Sequence, residues 1–395
     1  MKNRTSRRGF LTAGMILPVA SQAGAAAAGT PVPASAGVLQ PAGAGKAEVR
    51  YATLGKTGIK ISRLGFGCML TSDASVLERA ADMGINHFDT ARVYARGNNE
   101  RLVGTALKSR RKNLIISTKT LNTKDKASAL ADLETSLKTI GTDYVDIWYL
   151  HDKRSAADIT DELIDAQQTA KKAGKIRFSG LSLHAGHKEV IPAVIKNGTI
   201  DVLLTTYNFA MDPYIEDLIA QARKAGVGVV AMKVMAGSFR LDDYDYDRAR
   251  STLKRPGAML AALKWIFRNP NVDCAIPSMT DQDQLEENFR AMAAPFGDAD
   301  RKLLARRLEQ IRPMYCRMCG SCDGTCPKGL PVADMLRYLM YADGYGQFPL
   351  GREMFQQLPE AVQGVRCSDC GDCIVRCVAG VNVAERLKRA QELFA

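Results

Sequence analysis

The 395-residue sequence predicts an α/β fold: a (β/α)8 TIM barrel followed by a small helical, cysteine-rich domain. Between residues 64 and 292, short apolar runs alternate with amphipathic helical stretches. Gly84, Gly141, Gly174 and Gly226 sit where helix C-caps need a left-handed residue. Eight of the ten cysteines fall in two tight runs near the C-terminus. Such clustering argues for metal chemistry over scattered disulfides.

The regular pattern begins with V-R-Y-A-T-L-G-K-T-G-I-K-I-S, a hairpin around Gly58. Strands are expected over Leu64–Leu70, Ile85–Thr90, Leu114–Thr118, Val145–Leu150, Ile176–Leu183, Val202–Tyr207, Val227–Met232 and Cys274–Pro277. Between and after them come helical segments such as Val76–Met83, Glu100–Lys108, Ala127–Ile140, Glu162–Ala173, Tyr214–Ala225 and Met259–Phe267, and the last, Gln284–Met292, follows the eighth strand. Eight strand–helix units over about 230 residues favour closure into a barrel. A doubly wound sheet is the alternative, but no G-x-G-x-x-G follows the first strand. Cys68 and Cys274 fall in the first and eighth strands, at opposite ends, and read as buried core thiols.

In such barrels functional groups gather at the C-terminal ends of the strands. Asp89 ends the second strand, with Tyr94 just beyond it. Lys119 ends the third and His151 the fourth. Each alone has a structural explanation, as an N-cap, a core aromatic, a surface stem or a buried hydrogen-bonder. At consecutive strand tips of one barrel they form a proton-transfer site. A phenol with an ordinary pKa near 10 needs a nearby cation to relay protons near neutrality.

Over roughly residues 49–292 the sequence resembles the aldo/keto reductase family. The resemblance rests on Y-A-T-L-G-K-T-G, F-D-T-A-R-V-Y followed by N-N-E-R-L-V-G, S-T-K, and D-Y-V-D-I-W-Y-L-H. It implies hydride transfer between a nicotinamide cofactor and a small carbonyl or alcohol. Tyr94 would be the general acid/base, Lys119 paired with Asp89 would lower its pKa, and His151 would orient the substrate carbonyl.

The cofactor end departs from the family. Its Ser-Asn after strand five appears as Ser182-Leu183, its strand-six glutamine aligns with Leu204, and its stacking tyrosine aligns with Met232. Ser182 could still touch the carboxamide, Met232 could pack on the ring, and Lys233 could reach a phosphate. After strand eight, I-P-S-M-T-D-Q-D-Q-L-E-E-N carries Ser278, Gln284 and Asn288 as nucleotide contacts. Ser278 and Gln284 stand where NADP-specific members place Lys and Arg, and Asp281 and Asp283 would repel a 2′-phosphate. NAD is therefore favoured over NADP. Residues 236–256, with D-D-Y-D-Y-D, form an acidic loop expected over the mouth.

The first cysteine run, C-R-M-C-G-S-C-D-G-T-C-P, holds Cys316, Cys319, Cys322 and Cys326. The second, C-S-D-C-G-D-C-I-V-R-C-V, holds Cys367, Cys370, Cys373 and Cys377. C-x2-C-x2-C-x3-C is the bacterial [4Fe–4S] pattern, in which the fourth cysteine ligates the other cluster. Cys316, Cys319, Cys322 and Cys377 are thus expected on one cluster, and Cys326, Cys367, Cys370 and Cys373 on the other. Zinc favours paired C-x2-C halves, and such close cysteines cannot readily pair among themselves. Helical patterns at Ala299–Ile311, Val332–Tyr341 and Asn382–Leu393, with a loop around Gly344–Gly351, resemble an α-helical ferredoxin-like module. It also resembles the ferredoxin tail of an aldo/keto reductase subgroup. Clusters would pass single electrons to or from a redox partner protein.

Residues 5–11, T-S-R-R-G-F-L, open an export signal of twin-arginine form. About ten apolar residues follow the arginines, too few for a hydrocarbon core of ~30 Å, so no membrane span is expected in the mature form. The expected organisation is a signal peptide over 1–28, a flexible linker over 29–48, the barrel over 49–298 and the ferredoxin-like domain over 299–395. A periplasmic location follows. The net charge of +12 owes +4 to Lys2, Arg4, Arg7 and Arg8, and no dense basic run follows, so no nucleic-acid partner is expected. The alternative to a reductase is an exported iron–sulfur electron-transfer or binding protein whose barrel no longer turns over nicotinamide.

Overall fold

The computed structural model describes residues 48–121, 125–237 and 257–395. The expected signal peptide, nearly all of the linker and the acidic loop beyond Gly237 lie outside the described residues.

A hairpin opens the described chain. Strand β1 (Tyr51–Thr53) pairs antiparallel with β2 (Lys60–Ser62), turning at Gly58 with φ +75°. Its Leu54 and Ile61 are fully buried among the residues that fill the barrel interior. Gly55 allows this approach, since a Cβ there would lie 2.3 Å from the Gly228 nitrogen.

The barrel strands are β3 (Phe66–Gly67), β4 (His87–Asp89), β5 (Ile115–Lys119), β6 (Val145–Leu150), β7 (Ile176–Leu183), β8 (Val202–Thr206), β9 (Gly228–Met232) and β10 (Cys274–Ala275). Each pairs in parallel with its neighbour in chain order. Parallel bridges from Leu64 to Ala275 and from Gly67 to Ser278 close the ring. Their near-continuous burial explains the unbroken apolar runs in the sequence.

The outer helices are α1 (Ala74–Asp82), α2 (Asn98–Leu107), α3 (Lys126–Ile140), α4 (Asp161–Lys172), α5 (His187–Asn197), α6 (Tyr214–Lys224), α7 (Ala258–Phe267) and α8 (Gln282–Arg290). Gly84, Gly141, Gly174 and Gly226 all have positive φ at or just past helix ends, as the pattern predicts. Helix α5 goes beyond the expected set, because Pro192 interrupts its pattern. The first strand is shorter than expected, since Cys68–Leu70 turns into a 3-10 helix. Both Cys68 and Cys274 are buried thiols.

Helix α9 (Asp298–Ile311) lies against α7, with Leu304 packed on Ala261 and Ala262. The remaining chain forms α10 (Val332–Asp343), α11 (Phe348–Gln356), α12 (Glu360–Gln363) and α13 (Val383–Phe394). Met335, Leu339, Phe355, Leu387 and Phe394 make its core. The loop expected around Gly344–Gly351 is only partly a loop, because α11 begins at Phe348 with Pro349 in its first turn. Among the described residues no helix is long and apolar enough to cross a membrane.

Candidate active site and thiol cavities

The strand tips build one constellation. Lys119 Nζ donates to Asp89 Oδ2 at 2.5 Å and to the Thr90 carbonyl at 2.7 Å. Ser117 Oγ donates to Asp89 Oδ1 at 2.7 Å, and His87 Nε2 lies 3.0 Å from that hydroxyl. The carboxylate is therefore held on both oxygens below the mouth.

Tyr94 enters from the loop after β4, in a tight turn where Ala95 and Arg96 take positive φ. The N-N-E segment pins this loop. Asn99 accepts from Thr90 Oγ1 at 2.6 Å and donates to the Cys68 carbonyl at 2.7 Å. Buried Glu100 accepts from Arg92 and from Thr118 Oγ1, each at 2.7 Å. Lys119 Nζ then lies 5.0 Å from the centre of the Tyr94 ring.

Burial, with Asp89 and Cys68 nearby, pushes the Tyr94 phenol well above its ordinary value. This is opposite to the direction the resemblance implies. Burial is the main reason, and the Asp89 carboxylate adds to it while pairing with the Lys119 charge that would stabilise a phenolate.

His151 follows β6, and its backbone N–H donates to Thr120 Oγ1 at 3.1 Å. Burial, reinforced by Lys119, lowers its imidazole to about 4, so it is neutral near pH 7. His184, which follows β7, meets it edge-on with ring centres 6.4 Å apart.

Tyr94, Asp89, His151 and His184 all line one cavity of about 940 Å³. Of the six residues expected at the nucleotide, Met232, Lys233 and Ser278 line it too. The other three do not. Ser182 is fully buried, and its hydroxyl accepts the Asp152 N–H at 3.1 Å. Gln284 is exposed and bonded to Thr280 and Asp281, while Asn288 is buried within α8.

The cavity has a roof that sequence reasoning missed. Arg337, Tyr338, Tyr341 and Tyr345 reach over the mouth from the cysteine-rich region. Lys233 Nζ sits 4.8 Å from the centre of the Tyr341 ring and 5.3 Å from that of Tyr345. Burial, with Arg337 nearby, lowers the Lys233 ammonium to about 7.

Cys316, Cys319, Cys322 and Cys377 line a second cavity. Cys326, Cys367, Cys370 and Cys373 line a third, of about 230 Å³. Each cavity thus draws three thiols from one run and one from the other. Electrostatics repeats the grouping. Burial raises Cys316 to about 12, with Cys322, Cys377 and Cys319 as its thiol neighbours. Cys367 is raised to about 11 by burial and then by Cys326, Cys370 and Cys373. Among the described residues no group of three or more His, Cys, Asp or Glu is gathered to hold a metal ion.

The sequence model of the Aldo/keto reductase family matches residues 69–307. This chain belongs to the aldo/keto reductase family. It is therefore an oxidoreductase of a family that acts on carbonyls and alcohols with NAD(P). The uncharacterized oxidoreductase YqkF of Bacillus subtilis is 28% identical over 286 residues, covering 62% of this chain and 92% of that protein. The L-galactose dehydrogenase of Arabidopsis thaliana is 28% identical over 282 residues, covering 62% of this chain and 88% of that protein. Among solved structures, the aldo-keto reductase AKR11C1 from Bacillus halodurans in its holo form aligns with a TM-score of 0.56 at 27% identity. That alignment covers 66% of this aldo/keto reductase and 96% of the other.

Proposed function

We propose that this aldo/keto reductase reduces a small carbonyl compound at the barrel mouth, with Tyr94 giving the proton. The observation that carries the reading is the convergence of Tyr94, His151 and Asp89, with Lys119 beneath, on one cavity beside Met232. Bound NAD or NADP supplies the hydride. Met232 offers an apolar face to a nicotinamide ring, and Lys233 and Ser278 offer an amine that carries its charge below about pH 7 and a hydroxyl. The neutral His151 imidazole orients the carbonyl oxygen. Tyr94 then donates its phenolic proton as charge develops on that oxygen. The roof helices exclude water from the transfer.

We further propose that the two thiol sets hold one [4Fe–4S] cluster each, supplying one-electron transfer to a partner protein. The donor set fits, with four cysteines per cavity and the interleaved pairing of two-cluster ferredoxins. Cys316, Cys319, Cys322 and Cys377 would hold one cluster and Cys326, Cys367, Cys370 and Cys373 the other, and each would supply one-electron chemistry. The T-S-R-R-G-F-L segment supports export by the twin-arginine route, which carries folded, cofactor-loaded proteins. On this reading the chain divides into a signal over 1–28, a linker over 29–48, a barrel over 49–298 and a cluster domain over 299–395.

A second reading is an electron-transfer or binding protein whose barrel turns over no nicotinamide. Ser182, taken up by the Asp152 N–H, and Gln284, turned away from the cavity, favour it. One experiment separates the two. The protein is purified anaerobically, bound nucleotide is released and weighed by mass spectrometry, and iron and sulfide are counted. Retained NAD or NADP with carbonyl turnover supports the reductase. An empty barrel that turns over no carbonyl overturns it, and an iron count near zero overturns the clusters.

A further inference from the structure

We propose that Arg337, carried on the cysteine-rich region, is a positioning residue for His151 on the barrel. The inference rests on the reductase reading for the role of His151, while its geometry stands apart from that reading.

The turn after β6 is under strain. Asp152 follows His151 directly and has φ +50°, a left-handed conformation that costs a non-glycine residue free energy. Such a residue persists only where its surroundings hold it. The barrel holds it from one side. The Asp152 N–H donates to Ser182 Oγ at 3.1 Å, and the Lys153 N–H donates to the Ser182 carbonyl at 2.9 Å. The roof holds it from the other. Arg337 Nη1 donates to Asp152 Oδ2 at 2.9 Å, and Nη2 donates to Asp334 Oδ1 at 3.2 Å. Arg154 joins the same two carboxylates, at 3.1 Å to Asp152 and 2.7 Å to Asp334.

Arg337 has little freedom to yield. Its side chain is 3% exposed, and a buried cation that loses its carboxylate is left uncompensated. A planar fork shared between two carboxylates also fixes direction as well as distance. The peptide that follows His151 is therefore clamped between the barrel and a residue 185 positions away. His151, His184 and Arg337 all face the same cavity, so a shift of the Asp152 turn is felt first by these imidazoles. Arg337 acts through Asp152. The barrel alone does not complete its own substrate site.

The test uses the full chain, purified anaerobically, with labelled histidine side chains. Only four histidines exist, so single His→Gln variants assign every imidazole signal in the magnetic resonance spectrum. Arg337→Gln is expected to move the His151 and His184 signals and leave His87 and His187 in place. With carbonyl substrate, kcat should fall by about tenfold to a hundredfold while KM changes less, as misplacement of an orienting group predicts. Arg337→Lys restores the charge but not the fork, and should recover part of both effects. Arg386 is the control, a buried arginine of the same region paired with Asp343 instead. Arg386→Gln should leave all four signals where they are.

Four unmoved signals in Arg337→Gln would overturn the proposal, as would the same two signals moving in Arg386→Gln. If Arg337→Gln fails to fold, seen as lost iron and collapse of all four signals, Arg337→Lys decides by the same criterion. If the wild type turns over no carbonyl, the reductase reading falls, and the histidine signals still decide Arg337.

Discussion

Lys119 Nζ lies 2.5 Å from Asp89 Oδ2, with the two side chains 1% and 3% exposed. At that distance and burial the two charges cancel for any third group. Tyr94 therefore gains little from the lysine, and burial keeps its proton on well above neutrality. A protonated phenol gives a proton more readily than it takes one. Tyr94 itself therefore imposes no fall in carbonyl reduction from pH 7 to 9, any fall there following the Lys233 charge, which is lost near 7, while alcohol oxidation rises with pH. Tyr94→Phe should lower both by roughly 10²-fold or more at unchanged iron content. Steady-state kinetics in both directions checks this, and undiminished turnover in the phenylalanine variant would sink the assignment.

Cys377 belongs to the second cysteine run but lines the cavity of the first, and Cys326 does the converse. Each should therefore matter to the distant cluster. Cys377→Ser is expected to weaken the cluster of Cys316, Cys319 and Cys322 and spare the other, and Cys326→Ser the reverse. Each variant should lose about half the iron, with different paramagnetic signals surviving. Identical losses from both sites would dissolve the interleaved pairing.

The legible and the illegible parts of this chain differ in physical kind. Asp89, Lys119 and His151 could be read because a strand tip in a closed parallel barrel has one destination. His184 carries the same signal, since it follows β7 as His151 follows β6. Ser182 lies in the strand its apolar run predicts, yet its partner is the Asp152 N–H and no local pattern encodes that choice. Arg337 lay in a plain amphipathic stretch, V-A-D-M-L-R-Y-L-M-Y, where an arginine reads as surface. Its burial follows from how α10 docks on the mouth, which joins residues far apart in sequence. The cysteine spacing carries the expected ligand sets, and the two thiol-lined cavities group the same residues.

Acid should destabilise the fold through its histidines. His87 is fully buried, and burial lowers it to about 4. An unfolded histidine takes up its proton near 6.5. Between those values the unfolded chain holds the extra proton, so stability falls as pH drops through that window. His87 alone should cost roughly 3 kcal/mol by pH 4. His151 and His187, both lowered to about 4 by burial, act in the same direction. Urea midpoints measured from pH 7 to 4.5 should fall steeply, and His87→Gln should flatten the slope. A midpoint independent of pH over that range would contradict the buried neutral imidazoles.

The seating of the roof turns on one glycine. Gly344 closes α10 with φ −91°, a backbone that alanine also adopts, so conformation does not require glycine there. Space does. A Cβ at this position would meet the Gly237 carbonyl oxygen at 2.0 Å and that of Met340 at 2.8 Å. Backbone atoms cannot step aside as a flexible side chain can. Gly237 lies four residues beyond Lys233 in the chain, and Lys233 faces Tyr341 and Tyr345 across the cavity. Gly344→Ala must therefore push α10 and the β9 loop apart, opening the wall between them. The expected cost is about 1–3 kcal/mol of stability, typical of overpacking. KM for substrate should rise severalfold while iron content stays unchanged, because the thiol cavities draw on Leu330, Ala333 and Leu336 around the start of α10 and Gly344 closes its far end. If KM and the urea midpoint both match the wild type, the contact yields without consequence and the roof is not rigidly seated on the barrel.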